Sequence, residues 1–401
     1  MKRKLFVLAA IVLLLTVNSI CYAKGLEDNY NAALELMTKG KYREAADAFE
    51  SLFGYEDSNL YAVYAKGLAE GEEGSYVEAI KAFDLLGEFR DSAYQSKYYQ
   101  AREYESTDSF WAWDQAISIY NDMRMFRDAN DRIVRLEGEK SDRYEQAVEM
   151  GMEGNFSDAA DAFISMNDYQ DSDNYATYYR TRAEVAENPD QIDCLLDTIG
   201  KFRFLYDFLD SSEQAAEITQ RLWSHLSVGD QLHFGMRSIP WTILALDDSE
   251  KRVLLLCNET YEIIGFQNYH FRSWDESNMR EWLNGEFLER YFGEGDRYLI
   301  EHSEITNAHT EKLDGTNIWM DEDTTYDDVF LLSLDELEDY LPETTDRRID
   351  NTRWVLRNKH VAFQLGPIYY YTVEEDGSIG YTDITDKRAS MNLRPALWIN
   401  L

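Results

Sequence analysis

The chain has 401 residues, of which 44% are hydrophobic and 14% aromatic, and its 76 acidic against 39 basic side chains give a formal charge of −37. That apolar content is ample for packed cores and argues against a disordered chain. The charge repels phosphate backbones, so nucleic acid and anionic membrane surfaces are excluded as expected partners of the body of the protein.

Lys2, Arg3 and Lys4 precede an apolar run from Leu5 to Val17. The pattern fits a secretory signal and falls short of the ~20 residues of a spanning helix. Cleavage after Ala23 is expected, because Cys21 and Ala23 place small residues on either side of Tyr22. Lipidation at Cys21 is the alternative, with an uncleaved anchor the third. Residues 1–23 hold three basic and no acidic side chains, so their removal takes the charge to −40. The expected location is extracellular or at the cell surface. Cys194 and Cys257 then remain, in different expected domains, and read as free buried thiols rather than a disulfide.

Residues 24–222 carry a recurring segment. Gly40-Lys41-Tyr42-Arg43-Glu44-Ala45-Ala46-Asp47-Ala48-Phe49 returns as Gly74-Ser75-Tyr76-Val77-Glu78-Ala79-Ile80-Lys81-Ala82-Phe83, 34 residues later. Each copy ends in an aromatic-x-Asp-Ser turn, Tyr55-Glu56-Asp57-Ser58 and Phe89-Arg90-Asp91-Ser92, with looser echoes at Asp128, Asp171 and Asp210. Tyr42, Ala45, Ala46, Phe49 and Leu52 fall on one helical face, and Tyr30, Ala33, Leu34 and Met37 supply a preceding helix. The Asp-Ser ending is expected to cap the next helix through its side-chain oxygens. The spacing and the Gly-x-Tyr-x-Glu-Ala-x-x-Ala-Phe core resemble the tetratricopeptide family. The resemblance implies an all-α helical-repeat solenoid that presents a surface to a protein partner, or serves as a spacer. Phe110, Trp111 and Trp113 are expected to be mainly core.

Near Leu226 helical periodicity gives way to short runs broken by Gly, Asp and Asn, so residues 226–401 are expected to form a separate α+β domain. Strands are expected at Ile239–Leu246, Arg252–Cys257, Asp328–Leu332, Trp354–Leu356, Tyr369–Val373 and Ala396–Ile399, a helix opens at Ser277, and Glu375-Asp376-Gly377-Ser378 marks a hairpin turn. The set Ile239-Pro240-Trp241-Thr242-Ile243-Leu244, Trp274, Ser277 to Asn284, Thr325 to Ser333, Trp354-Val355-Leu356-Arg357 and Leu393-Arg394-Pro395-Ala396-Leu397-Trp398-Ile399 resembles an uncharacterised bacterial extracellular domain family. The resemblance spans about 170 residues. The family's general look is similar to the C-type-lectin-like fold. Asn358-Lys359 stands where the family usually has Ser-Pro, and Val355 where it has a second tryptophan.

No Gly-x-Ser-x-Gly elbow, phosphate loop or His-Glu-x-x-His helix occurs, so no catalytic residue, metal or cofactor is assigned. His302 and His309 with Glu301 and Glu304 are read as solvated rather than as a metal site, and the acidic run Asp321 to Asp328 as a solvated loop rather than a calcium site. Trp274, Arg280, Trp282, Trp354, Arg357, Arg394 and Trp398 are the candidate ligand-binding residues. Two readings stand for them: an aromatic core tied by buried arginines, or a pocket in which tryptophan faces stack on a sugar while arginine fixes a polar group. The expected function is noncatalytic binding, with a protein partner on the helices and an extracellular glycan on the C-terminal domain. A cell-envelope hydrolase or modifying enzyme is the alternative.

Overall fold

The computed structural model describes residues 24–264, 274–307, 309–313, 316–320, 324–360, 369–383 and 390–401. The signal-like segment before residue 24 and the acids Asp321, Glu322 and Asp323 lie outside the described residues. The chain forms two compact units, Met1–Asp173 and Asn174–Leu401. The change from helix to strand falls later, between Trp223 and Gln231.

The first unit is helical: α1 (residues 24–38), α2 (Tyr42–Glu50), α3 (Ser58–Glu72), α4 (Tyr76–Leu86), α5 (Ser92–Glu105), α6 (Phe110–Asn121), α7 (Ala129–Met152) and α8 (Phe156–Ile164). From α2 to α8 each helix packs on the next. Ala45, Ala46, Phe49 and Leu52 are buried with Ala33, Ala62 and Ala65, and Phe49 alone contributes about 1.5–3 kcal/mol by leaving water. Small residues set the spacing: a Cβ on Gly71 would lie 2.1 Å from Tyr99 Cζ, so that ring fills the notch the glycine leaves. Phe110 and Trp113 are buried, whereas Trp111 is 53% exposed.

One turn joins these helices again and again. The residue before each aspartate takes a left-handed backbone at Glu56, Arg90, Arg127, Gln170 and Leu209, with φ between 48° and 54°. The amide after the aspartate closes the turn onto the aromatic residue's carbonyl, as in Ser58 N to Tyr55 O at 3.0 Å and Ser211 N to Phe208 O at 3.1 Å. Asp57, Asp91, Asp128 and Asp210 make no side-chain cap. This corrects the capping expectation. With ψ of 21–28° their side chains turn away from the helix amides and instead accept a tyrosine hydroxyl from an earlier helix: Tyr30, Tyr64, Tyr98 and Tyr178 respectively.

Helix α9 (Ser172–Glu187) leads into the second unit, followed by α10 (Ile192–Leu205) and α11 (Ser211–Trp223). Next come β1 (Gln231–Phe234), β2 (Ile239–Asp247), β3 (Arg252–Cys257) and β4 (Tyr261–Ile264). Ser277 caps α12 (Asn278–Trp282) by accepting from Arg280 N, and a π-helical turn (Leu283–Phe287), α13 (Leu288–Tyr291) and α14 (Glu294–Arg297) follow. The chain continues through β5 (Ser303–Thr306), β6 (His309–Leu313), β7 (Thr316–Met320), β8 (Thr324–Asp327) and α15 (Leu334–Tyr340). It ends in β9 (Trp354–His360), β10 (Tyr369–Val373), β11 (Ile379–Asp383), β12 (Ser390–Leu393) and β13 (Ala396–Asn400).

One sheet runs β1-β2-β3-β13, so the last strand closes beside the third, and a second runs β11-β10-β9-β12-β4. The β2–β3 hairpin and the β10–β11 turn fall where the sequence places them. Asp328–Leu332 is not a strand; only Phe330 bridges to Ala396, because α12 and its π-turn hold this segment by side-chain bonds rather than a ladder. Cys194 and Cys257 are both free, and burial pushes the Cys257 thiol up to about 12.

Helix α10 packs closely on α14. A Cβ on Gly200 would stand 2.7 Å from the carbonyl oxygen of Gly295, so the two backbones meet without intervening side chains. Asp193 on α10 accepts from the backbone and the ring of His233 on β1, both within 2.9 Å. Arg203 donates to the Asn400 carbonyl at 2.6 Å.

Candidate functional site

The structure separates the seven expected site residues into distinct surroundings. Trp274 and Trp354 are fully buried, and each indole N–H is satisfied, by Asp327 Oδ2 at 2.8 Å and by the Arg347 carbonyl at 3.1 Å. Asp327 is 0% exposed and also accepts from Thr325 and from Arg280, which continues to the Tyr326 carbonyl. Within the acidic run, Asp327 is therefore a buried anchor, not a solvated acid. Asn284 completes the anchor: its oxygen accepts from the amides of Asp328 and Val329, and its nitrogen donates to the carbonyls of Arg280 and Val329.

Arg357 is 1% exposed and grips both oxygens of Glu336 as well as the carbonyls of Leu331 and Thr306. Glu336 also receives the Ser333 amide in a reciprocal cap of α15, a Ser-x-x-Glu pattern legible in the sequence. Asn358, where the resembling family has serine, is buried and bonds the Leu334 amide and the Asn307 carbonyl. Arg394 lies over the Trp354 ring and donates to the Cys257 carbonyl, and burial lowers it to about 10. Trp282 and Trp398 keep partial exposure, the latter under the Arg252 guanidinium. Trp274, Trp354, Arg357 and Arg394 thus present almost no surface to a ligand.

Of the tyrosines, Tyr370 and Tyr371 are buried while Tyr381 is exposed and meets Tyr369 edge-on. His302 pairs with Asp328 at 2.7 Å; the His309 side chain lies outside the described residues. No group of three metal-ligating side chains occurs among the described residues.

One cleft was not anticipated from the sequence. It has about 740 Å³ and lies between α10–α11 and the tip of the β2–β3 hairpin. Tyr206, Trp223 and Tyr298 give it three aromatic rings, Arg203 and Lys251 two cations, and Ser212, Thr219 and Gln220 polar edges. The hairpin tip is preorganised by Asp247, whose Oδ1 accepts from the Ser249 hydroxyl and the amides of Ser249 and Glu250. Lys251 consequently stands with its ammonium 4.6 Å from the Trp223 ring centre, paired with Asp248. The contributing residues come from four separated parts of the chain, around 203–223, 251, 298 and 401, so no local pattern marks them.

A smaller cavity of about 370 Å³ is lined by Asp193, Asp197, His233, Ser238 and Asp296. Asp193 fixes His233 through its Nδ1, Ser238 sits on a left-handed turn at φ 49°, and burial raises the Asp296 carboxyl above its ordinary range.

No curated protein matches the chain. Residues 250–401 match the family described as Domain of unknown function (DUF6273); the match begins just inside the β2–β3 hairpin and leaves out the Ile239–Leu244 portion of the expected resemblance.

Proposed function

We propose that the chain is an exported, noncatalytic binding and scaffold protein whose ligand cleft lies between α10–α11 and the C-terminal sheet domain. The observation that carries this reading is the 740 Å³ cleft itself, in the size range of small-molecule sites and lined by aromatic faces with a few polar groups. Tyr206 is 72% and Tyr298 55% exposed, so both rings offer open faces to a ligand. A sugar ring offers C–H bonds on its face and hydroxyls at its rim, which matches flat rings bordered by Ser212, Thr219 and Gln220.

Export rests on the Lys2–Val17 pattern, and intact-mass analysis of the mature protein should show an N-terminus at Lys24; a lipidated Cys21 would select the anchored form. The helices are read as a tetratricopeptide-like solenoid for a protein partner, supported by the 34-residue spacing and the recurring turn. A C-type-lectin-like fold is part of the same proposal, supported by the return of β13 to the first sheet. The test is a glycan array probed with the full chain and with Trp223→Ala. Binding that disappears in the variant supports the cleft; a blank array, or binding untouched by the substitution, removes it.

A hydrolase reading has its own observation, the Asp193–His233 pair beside Ser238, Asp197 and Asp296. There the aspartate orients the imidazole and leaves Nε2 free for base chemistry. Release of soluble fragments from cell-envelope preparations by the full chain, abolished in His233→Ala, would replace the binding reading by this one.

A further inference from the structure

We propose that the cleft takes an acidic glycan, its sugar ring lying on the Trp223, Tyr206 and Tyr298 faces and its anionic group lying between Arg203 and Lys251. This rests on the binding reading and adds the charge of the ligand. The chain carries 76 acidic side chains among 401 residues, yet no Asp or Glu side chain lines this cleft, and two cations do. The polar cavity near α2 carries Glu44, Glu72 and Glu73, and the one at His233 carries three aspartates. The aromatic cleft therefore reverses the sign of the protein around it.

Arg203 is the stronger argument. It is partly buried, its bond partner is the Asn400 carbonyl, and no carboxylate pairs with it among the described residues. A guanidinium drawn from water with only a carbonyl to meet it favours an incoming anion, and its planar fork suits a carboxylate or a phosphate. Lys251 already meets Asp248, whose carboxylate also reaches the Trp223 side chain, but Asp248 is 84% exposed, and such a pair is worth little and exchanges readily. The overall negative charge does not forbid the encounter. At physiological ionic strength fields are screened over roughly 8 Å, so an anion within the cleft responds mainly to Arg203 and Lys251.

The test is calorimetric titration of the full chain with tetragalacturonate, with its methyl ester of equal length, and with a hexose-phosphate oligomer. One of the two anionic oligomers should bind at least tenfold more tightly than the neutral ester, and which one does so separates carboxylate from phosphate. Arg203→Gln should erase most of that preference. Lys251→Gln, on an exposed hairpin, gives the same readout if loss of the Asn400 bond unfolds the Arg203 variant. Equal binding of acid and ester, lost in Trp223→Ala, would overturn the acidic ligand while leaving the cleft in place. Binding of none of the three, together with a blank glycan array, would remove both.

Discussion

In the helical region, a tyrosine from one helix reaches the aspartate of a later turn at Asp57, Asp91, Asp128 and Asp210, each preceded by a left-handed residue. In the C-terminal domain, Asp327 collects Trp274, Thr325 and Arg280, while Glu336 collects Arg357 and its own helix cap, and neither arrangement recurs among the described residues. The first device is partly open to water and copied, so losing one copy leaves the others in place. The second buries charge at single points where nothing can substitute.

The largest effect follows from that difference. Arg357→Ala strands Glu336 and two backbone carbonyls, and should cost about 3–5 kcal/mol, measured as a fall in the urea midpoint of the full chain. Arg357→Lys keeps the charge but loses the two-pronged grip, so the lysine variant should also be clearly destabilised. A cost for Arg357→Ala no greater than for a single tyrosine latch would break the contrast.

How much of this was legible depends on whether the signal is local. The apolar helical faces of α2 and α4, the 34-residue spacing, the β2–β3 hairpin and the Ser277 and Ser333 caps are written in adjacent residues. The tyrosine latches join residues 27 to 32 apart, so the sequence shows the aspartates but not what they hold. Asp327 and Asp328 are neighbours of one type, yet one is buried and the other meets a histidine at the surface; only the position of Trp274 and Arg280 in space decides between them. The cleft drew Arg203, Trp223, Lys251 and Tyr298 from four places with ordinary local surroundings.

The α10–α14 contact sharpens the comparison at intermediate size. Gly200→Ala places a methyl 2.7 Å from the Gly295 carbonyl oxygen, where neither backbone can yield, and should cost about 1–3 kcal/mol with loss of hydrogen-exchange protection in α10. Gly138→Ala, with open space around its Cβ, serves as the control and should be neutral or slightly stabilising.

The smallest effects belong to the latches. Tyr64→Phe and Tyr178→Phe should each cost about 1 kcal/mol and add together, since they lie in separate turns. Burial, then the partner aspartate, pushes both hydroxyls up to about 12 from an ordinary 10.0. Their folded pKa is raised, so their contribution is whole below pH 10 and is lost as pH rises toward 12; the double Phe variant should flatten that alkaline loss. Asp210 shifts the other way: burial raises its carboxyl, but the Tyr178 hydroxyl and Gln214 outweigh it, so its share is present above the ordinary carboxylate range and fades as pH falls through it.

The most direct measurement of the binding cleft is hydrogen exchange of the full chain with and without saturating tetragalacturonate, or whichever of the three oligomers binds. Protection should concentrate in α10, α11, the hairpin around Lys251 and the segment at Tyr298. Protection confined to residues 24–173, or to the cavity around His233 and Ser238, would contradict it.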